Sequence, residues 1–498
     1  MSCENVVNAG KVNRFDTVHI RSVVSLALFG FVFLGVEFFF DSYASKVVDA
    51  KGVLLYQSVI LLASVAGLFI YALLERTLSK KIIHIVLIAL NIVGLVTLAG
   101  IILASGRWLL GSGIIFFVIC GITGGFVYFE VANDYTDRKH LTVTVGISYA
   151  LGLLLQYINY NLVDSAAIRF TMFALAVAAL TAILLLRVDI DAANDRHRTE
   201  GKRNHDCQEK SDNNNSVFIA VVLVTVILFM TFIFSALDNV VTLVHAEGGA
   251  DIGQWPRLFL ALSGIAAGVL FDIRDQRFMN QIMYCVTVLS VIAMLVIEFG
   301  GAFIIGLIVF YLAAGFFVIY FTTSFINISY NMCWPSLWTG AGRAVNNIGA
   351  GIVGIMTYVI TKTPGIMVMS ILVIVLLVLI SIAVFVLDSI QKRQYRHYDE
   401  ENVTKDEGVE VRKEKDIGAF ADKHMLTVRE QEVLQKLLVS DGSVQDIADE
   451  LYISRASLYR HISSMNEKTG TRSRVGLIQY YYGWSEDTDG IHSPVEHH

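Results

Sequence analysis

Seven polar or charged residues interrupt otherwise apolar segments of this chain, and their side chains are the first whose chemistry could matter. A charged side chain inside a hydrocarbon layer is costly, so such residues tend to pair, to bind a ligand or to hold helices together. Three carboxylates against one arginine would favour a ligand with a cationic or hydrogen-bond-donating group. The set consists of Glu37, Asp41, Gln156, Asn159, Asp238, Asn239 and Arg257.

Part of this set has a simpler interpretation. Asp41, Asp238 and Arg257 stand at the ends of apolar segments, where their side chains could instead reach the lipid headgroups. Glu37 differs because it is surrounded by aromatic and aliphatic residues within its segment. We therefore expect Glu37 to be the member most directly engaged in binding a ligand.

The rest of the sequence offers little for catalysis or metal binding. The five cysteines have neither paired nor metal-ligand spacing, which argues against a disulfide framework and against a zinc site. We find no nucleophile with a neighbouring base, no metal triad and no phosphate-binding glycine loop. The sequence therefore predicts no enzymatic activity, no metal and no other cofactor.

The composition indicates which elements must position these side chains. Hydrophobic residues make up 55% of the 498 residues and charged residues only 16%, whereas soluble domains average about 25% charged residues. Twelve apolar segments are long enough to cross, as helices, a hydrocarbon core of about 30 Å. A charge-rich stretch, 187–216, divides them into six plus six. The segments lie near 20–40, 53–74, 82–104, 109–129, 141–162, 168–186, 217–237, 256–272, 280–299, 302–323, 340–360 and 366–387.

Basic residues predict how these segments are oriented. If the amino terminus, 1–19, is inside, the inner loops carry sixteen Lys or Arg residues and the outer loops six. Cytoplasmic loops retain positive charge, so we expect both termini to be cytoplasmic and the protein to lie in the inner (cytoplasmic) membrane. The first apolar segment lacks a cleavage-like motif and is predicted to be a retained span.

The six-plus-six plan, spanning 20–387, resembles the major facilitator superfamily. Members carry a charged signature after the second span and again after the eighth. GVLFDIRDQR at 268–277 resembles the second copy, with Gly268 for close helix approach, Asp272 near a helix end and basic residues after it. The first copy, around Glu75 and Arg76, lacks the small residues and the turn glycine, so transport does not follow from the resemblance. The resemblance implies a central cavity that opens outward, toward which the seven polar residues would face.

A second polar group lies toward the inner ends of the spans. Two interpretations stay open: an inner gate between the two halves of the bundle, or helix caps and interhelical hydrogen bonds. The group consists of Glu130, Asn133, Asp134, Asn327, Tyr330, Asn331, Asn346 and Asn347.

The chain changes character after the last span. Residues 388–424 mix both charges with too few apolar residues to bury a core, which predicts a solvated linker. Residues 425–485 have the pattern of four short helices, and 486–498 form a tail. Residues 187–216 and 388–424 are thus the predicted soluble connections.

The caps of these four helices can be read from local signals. Thr427 and Glu430 form a capping box for the first helix, and Ser443 begins the second. Apolar residues recur at helical spacing on the third helix, which Gly470 ends. Ser473 begins the fourth. Two helices, a tight turn and a third amphipathic helix are what allows one helix to enter the major groove of DNA.

The stretch LTVREQEVL at 426–434 resembles the opening of LuxR-type helix-turn-helix domains, and further matching pieces follow over about sixty residues. The resemblance implies base contacts by Tyr459, Arg460 and Ser463 on the third helix. It implies phosphate contacts near Arg455, Ser457 and Lys468. Tyr459 departs from the lysine or arginine usual at its position.

Together these patterns predict an all-α protein in which a twelve-helix, facilitator-like bundle precedes a four-helix DNA-binding domain. This arrangement resembles membrane-bound LuxR-type regulators. We expect it to bind double-stranded DNA, a small-molecule inducer and the lipid bilayer, and to pair as a homodimer through its DNA-binding domain. The aromatic fourth helix offers either a pairing surface or internal packing. The alternative is a facilitator-type secondary transporter with a fused regulatory domain.

Overall fold

The chain folds into two compact units, which divide between Ile390 and Gln391. We call them the bundle and the head, and describe each by itself. Within the described residues the chain is helical and has no β-strand, which confirms the all-α prediction. The computed structural model describes residues 3–103, 108–135, 140–194, 214–246, 255–298, 303–359, 371, 374–390, 417–418, 420–439, 447–448, 451, 453–471 and 473–484.

The bundle has a helix at each of the twelve predicted spans, as far as the chain is described, and one additional short helix. Nine of the helices in the described part are long and apolar enough to cross a membrane. The chain is therefore a multi-pass membrane protein. The helices are α1 (Cys3–Ala44), α2 (Ala50–Thr77), α3 (Lys80–Leu103), α4 (Leu109–Asp134), α5 (Leu141–Asn161), α6 (Ala166–Asn194), α7 (Asn214–Ala246), α8 (Leu258–Asp272), α9 (Met279–Glu298), α10 (Phe303–Ser329), α11 (Pro335–Thr339), α12 (Ala341–Val359) and α13 (Ile374–Ile390).

A helix is the natural solution for these segments, since a lipid-solvated backbone must satisfy its hydrogen bonds internally. The outermost helices show the lipid-facing side most clearly. Ile85 and Val96 on α3 and Leu175 on α6 are well exposed although apolar. Aromatic side chains fill the interior instead: the Phe31 and Phe173 rings stack with centroids 4.8 Å apart.

Glycines hold the two halves of the bundle together. We call α1–α6 the amino half and α7–α13 the carboxyl half. A Cβ atom at Gly146 on α5 would overlap the carbonyl oxygen of Gly264 and come within 3.0 Å of the Gly268 Cα on α8. Gly354 on α12 is similarly close to Ser58 on α2. These two crossings join the halves, and they confirm the prediction that the glycine of the 268–277 signature serves close helix approach.

The head contains α14 (Val428–Val439), α15 (Arg455–Thr469) and α16 (Arg474–Gly483) around one small core. The predicted capping box is confirmed, because the Thr427 backbone N–H donates to Glu430 Oε2 at 2.7 Å and the Glu430 N–H donates back to Thr427 Oγ1 at 3.3 Å. Gly470 ends α15 with a φ of 71°, a left-handed conformation that favours glycine. Ser473 Oγ accepts from the Gly476 N–H, as its capping role predicts. Ser443 lies outside the described residues.

The core of the head begins earlier than the motif suggests. Ile417, Phe420 and Ala421 are buried in it, although they belong to the segment predicted to be a solvated linker. The Phe420 ring packs edge-on against Tyr481 with centroids 5.2 Å apart. Three apolar side chains close together are enough to cover a core this small, even where the surrounding residues are charged.

Candidate ligand site and DNA-binding surface

Four of the seven predicted polar residues come together between the halves of the bundle. We call the end where α1 begins proximal and the opposite end distal; these four residues lie toward the distal end. Glu37 and Asp41 are on α1, Asp238 is on α7, and Arg257 immediately precedes α8. Arg257 interacts electrostatically with all three carboxylates. We call these four residues the distal charge cluster.

The distal charge cluster is only partly satisfied by its neighbours. Gln57 Nε2 donates to Glu37 Oε1 at 3.3 Å, and the Arg257 guanidinium lies 4.6 Å from the centre of the Phe38 ring. Asp41 Oδ1 and Arg257 Nε are buried without a hydrogen-bond partner among the described residues. Buried polar atoms are normally hydrogen-bonded, so this region has unused capacity for a polar ligand or for water.

The other three predicted residues hold helices together. Gln156 Nε2 on α5 donates to the Leu34 carbonyl on α1 at 3.0 Å. Asn239 Nδ2 on α7 donates to Thr357 Oγ1 on α12 at 3.0 Å. Asn159 Nδ2 lies 3.4 Å from a carbonyl oxygen of α6. Their amides are therefore engaged in interhelical bonds.

Arg343 on α12 is a candidate site residue that the sequence-based set omits. Its guanidinium lies between two rings, 5.4 Å from the centre of Phe33 on α1 and 5.2 Å from that of Phe321 on α10. It also interacts electrostatically with Tyr128 on α4. The available signal was an arginine inside an apolar span; only the fold shows that its long side chain faces other helices.

Arg343 lines a small central cavity between the halves. The cavity wall is formed by α1, α4, α5, α10 and α12, and is largely apolar. Its polar groups are Tyr128, Ser148, Tyr149, Thr322 and Arg343. An apolar wall with a few polar groups is the lining that small-molecule sites have, but in this conformation the free volume, about 30 Å³, is far below the roughly 300–1,000 Å³ of such sites.

Two similar hydrogen bonds close the proximal end. Thr142 Oγ1 on α5 donates to Asp272 Oδ1 at the end of α8 at 3.1 Å, and His140 Nδ1 lies 3.2 Å from the other oxygen of Asp272. Near the end of α2, Glu75 Oε2 likewise accepts a hydrogen bond from Ser336 Oγ on α11 at 3.0 Å. Asp272 of the second signature copy and Glu75 of the incomplete first copy thus both form hydrogen bonds across the halves.

Further contacts reinforce this proximal closure. The Tyr330 hydroxyl lies 2.7 Å from the carbonyl oxygen of Ala132 and 2.8 Å from that of Tyr135, both in the amino half. Trp334 Nε1 donates to the Ala72 carbonyl at 3.3 Å. The two halves are therefore in contact at the proximal end in this conformation.

Some residues of the predicted inner polar group form contacts between the halves, as in a gate, and others form hydrogen bonds within one half. Tyr330 and Asn347 join the halves, Asn347 by donating to Ser64 Oγ at 2.8 Å. Asp134 instead accepts from Ser22 Oγ within the amino half at 2.6 Å, and the bond that Asn327 donates stays within the carboxyl half. Gate contacts and ordinary helix packing are thus both present.

In the head, α15 presents an exposed face that carries most of the predicted DNA-contacting residues. Tyr459 is 48% exposed, and Arg455, Arg460 and Ser463 are exposed as well. The Arg455 guanidinium lies 5.7 Å from the centre of the Tyr459 ring. Ser457 is partly buried, and its N–H donates to the capping residue of the same helix at 3.2 Å.

Lys468 has partners inside the head. Its Nζ donates to Glu430 Oε2 at 2.6 Å and to the Met425 carbonyl at 2.9 Å. Burial opposes the charge of Glu430, but hydrogen bonds from Lys468 and from the capping residue Thr427 prevail and lower its pKa to about 2. Contact between Lys468 and a phosphate stays a prediction, and the residue also has a structural role.

Some aromatic residues in and next to α16 pack inside the head, and others are exposed. Tyr481 is buried, and Trp484 packs edge-on against Phe420. Tyr480 is 40% exposed, whereas the side chain of Tyr482 lies outside the described part. Internal packing therefore accounts for Tyr481 and Trp484, and Tyr480 is the member of this set with surface available for pairing.

Comparison with known proteins agrees with this division. A family model described as bacterial regulatory proteins, luxR family, matches residues 424–481. The spore germination protein GerE of Bacillus subtilis (strain 168) is 44% identical over 59 residues, which are 12% of this chain and 78% of that protein.

Solved structures resemble the bundle. The crystal structure of an auto-inhibited POT family peptide transporter aligns with a TM-score of 0.51 and 12% identity, over 76% of this chain and 97% of that one. The human organic anion transporter MFSD10 aligns with a TM-score of 0.48 and 13% identity, over 75% and 99%. At such low identity the likeness to the first of these concerns the fold alone.

Proposed function

We propose that this chain, which belongs to the luxR family of bacterial regulatory proteins, is a membrane-anchored transcription regulator whose bundle senses a small molecule. The observation that carries the proposal is the combination in one chain of a LuxR-type DNA-binding head and a transporter-like bundle with charged side chains between its halves. The head supplies the output, and the bundle occupies the place of a sensor.

The bundle has the parts that a two-state sensor needs. A ligand shifts an equilibrium only through its different affinities for two conformations. The proximal contacts, such as Tyr330 with Ala132, favour one arrangement of the halves, and the central cavity lies between those same halves. A ligand that fits the cavity better in another arrangement would therefore act against these contacts.

Sidedness follows from the distribution of charge. The sixteen-to-six excess of Lys and Arg favours a cytoplasmic location for the proximal end and for the head. There the head would meet double-stranded DNA, and two heads would bind as a homodimer. The distal end would then face away from the cytoplasm, where an external inducer arrives.

A transporter with a fused regulatory domain is the second candidate. It is favoured by the paired bonds of Asp272 and Glu75 across the halves, which suit a bundle that opens and closes. Uptake into proteoliposomes of a compound that also alters transcription would support it. Binding of that compound without uptake into proteoliposomes would instead support a bundle that acts as a sensor.

The decisive experiment compares transcripts of a deletion strain and its parent across candidate inducers. We expect a small set of genes to lose its response to one compound, and the full chain to restore that response. A chain with Arg460→Ala should be inserted in the membrane yet fail to restore it. Full complementation by that variant, or no change in any transcript, would contradict the proposal.

A further inference from the structure

The central cavity contains a cation that no carboxylate of the described residues contacts directly. Within the described part of the chain, no carboxylate oxygen lies within 4.0 Å of the Arg343 guanidinium nitrogens, and its Nε is buried without a hydrogen-bond partner. The ring faces of Phe33 and Phe321 and the Tyr128 hydroxyl are its neighbours. These groups stabilise a guanidinium but leave its positive charge without a full counter-charge.

The distal charge cluster differs in this respect. Arg257 is shared by three carboxylates, whereas in the described part of the chain Arg343 interacts electrostatically with one, Glu37. Glu37 is meanwhile hydrogen-bonded to Gln57. Among the described residues, Arg343 therefore has one carboxylate near it, beyond 4.0 Å, whereas three surround Arg257.

The cavity also indicates what the rest of the ligand is like. Phe29, Leu26 and Val318 give it apolar walls, while Thr322 supplies a hydroxyl near Arg343. A guanidinium binds a carboxylate through two parallel hydrogen bonds. The anionic group of a ligand would therefore lie at Arg343 and its apolar body against the walls.

We propose that Arg343 binds the anionic group of the ligand, and that the ligand is a small organic monoanion with an aromatic or aliphatic body. This inference rests on the proposed function and narrows it. It also reverses the expectation of a cationic ligand, which considered Arg257 alone: a cation placed in this cavity would be repelled by Arg343.

The test uses the full chain in detergent and pairs of probes that differ only in charge. Benzoate with benzamide, phenylacetate with phenylacetamide, and 3-phenylpropionate with its amide are titrated while the unfolding midpoint is followed. We expect at least one carboxylate to raise the midpoint by about 2 °C or more and its amide to have no effect. Benzylamine, a cation of similar shape, should also have no effect.

Variants then assign the binding to the residue. Arg343→Gln should weaken carboxylate binding at least about tenfold, as expected for loss of a charged hydrogen-bond partner. Arg343→Lys keeps the charge but not the planar two-point geometry, so its affinity for the carboxylate should lie between those of the parent and Arg343→Gln. Arg274→Gln, the same change at an exposed arginine, should bind like the parent. If Arg343→Gln does not fold, the Lys variant still tests the assignment.

Glu37→Gln separates the two ligand classes. An anion at Arg343 should bind this variant as well as or better than the parent, because a competing carboxylate is gone. A cation held by Glu37 would lose its partner and bind worse. Stabilisation by benzylamine and not by any carboxylate, or equal carboxylate binding by the parent and Arg343→Gln, would overturn the anion assignment.

Failure of the wider proposal looks different. If carboxylates bind at Arg343 but none that binds alters transcription, the ligand class stands and the sensing role fails. If a neutral or cationic probe binds and alters transcription while carboxylates do neither, sensing stands and the anion assignment fails.

Discussion

The Lys468 ammonium lies 2.6 Å from the Glu430 carboxylate and joins the end of α15 to the first turn of α14. The Glu430 side chain is only 5% exposed, against 30% for Lys468. Glu430 also accepts hydrogen bonds from the backbone and hydroxyl of Thr427. One carboxylate thus caps a helix and fixes its packing against the helix that is expected to enter the DNA groove.

We expect Lys468→Ala to destabilise the head by on the order of 1–3 kcal/mol, because it leaves a buried carboxylate without its charged partner. Urea unfolding of the 391–498 fragment, which contains the whole core of the head, would measure this. Gln435→Ala, at an exposed glutamine of α14, is the control and should change stability little. Equal stability of Lys468→Ala and the parent would mean that the bond does not form in solution.

Acid should weaken the same bond. The pKa of Glu430 is lowered from 4.5 to about 2, so its contribution is fully present above pH about 4.5 and is lost as the pH falls toward 2. The difference in unfolding free energy between the parent and Glu430→Gln should therefore be constant at neutral pH and shrink through this window. A difference that is the same at pH 3 and pH 7 would contradict the lowered pKa.

Arg460 tests the DNA surface. Arg460→Ala should weaken binding to the specific site by about 1–3 kcal/mol and relax sequence choice, since a base-reading contact is lost. Gel shifts with the 391–498 fragment on specific and scrambled duplexes would measure both effects. Glu467→Ala, also exposed on α15, should keep the sequence preference. An unchanged preference in Arg460→Ala would place the base contacts elsewhere.

Sidedness can be tested by labelling single cysteines after removal of the native ones. An impermeant reagent applied to intact cells should label a cysteine at Lys51, in the distal loop region, and not one at Asp275, in the proximal turn. Permeabilised cells should give labelling at both positions. Labelling of the Asp275 variant in intact cells would place the head outside the cytoplasm and remove the basis for the proposed function.

Tyr330 tests the proximal closure. Tyr330→Phe removes the hydroxyl that lies within hydrogen-bonding distance of two carbonyl oxygens across the halves, so reporter expression without ligand should move toward its ligand-bound level. Tyr284→Phe is the control, because its hydroxyl is 2.9 Å from Ser381 Oγ within the carboxyl half. Equal basal expression in both variants and the parent would show that this contact does not hold the resting state.

The sequence by itself determined the spans and the caps, because both depend on neighbouring residues. A bilayer requires about twenty apolar residues in a row, and each of the helices α1 to α10 overlaps one such run. A capping box needs only residues three apart, so the pair Thr427 and Glu430 could be recognised directly. The 268–277 signature likewise revealed a close helix approach at Gly268 before any partner was known.

Only the tertiary structure decided which polar side chains meet. Tyr330 and Ala132 are 198 residues apart, and Lys468 and Glu430 are 38 apart, so no local pattern connects them. The same holds for Arg343, whose charge is visible in the sequence, but whose lack of a directly contacting carboxylate among the described residues depends on the four helices around it. Partners of buried charges are set by packing between distant segments, and composition and periodicity contain no information about that.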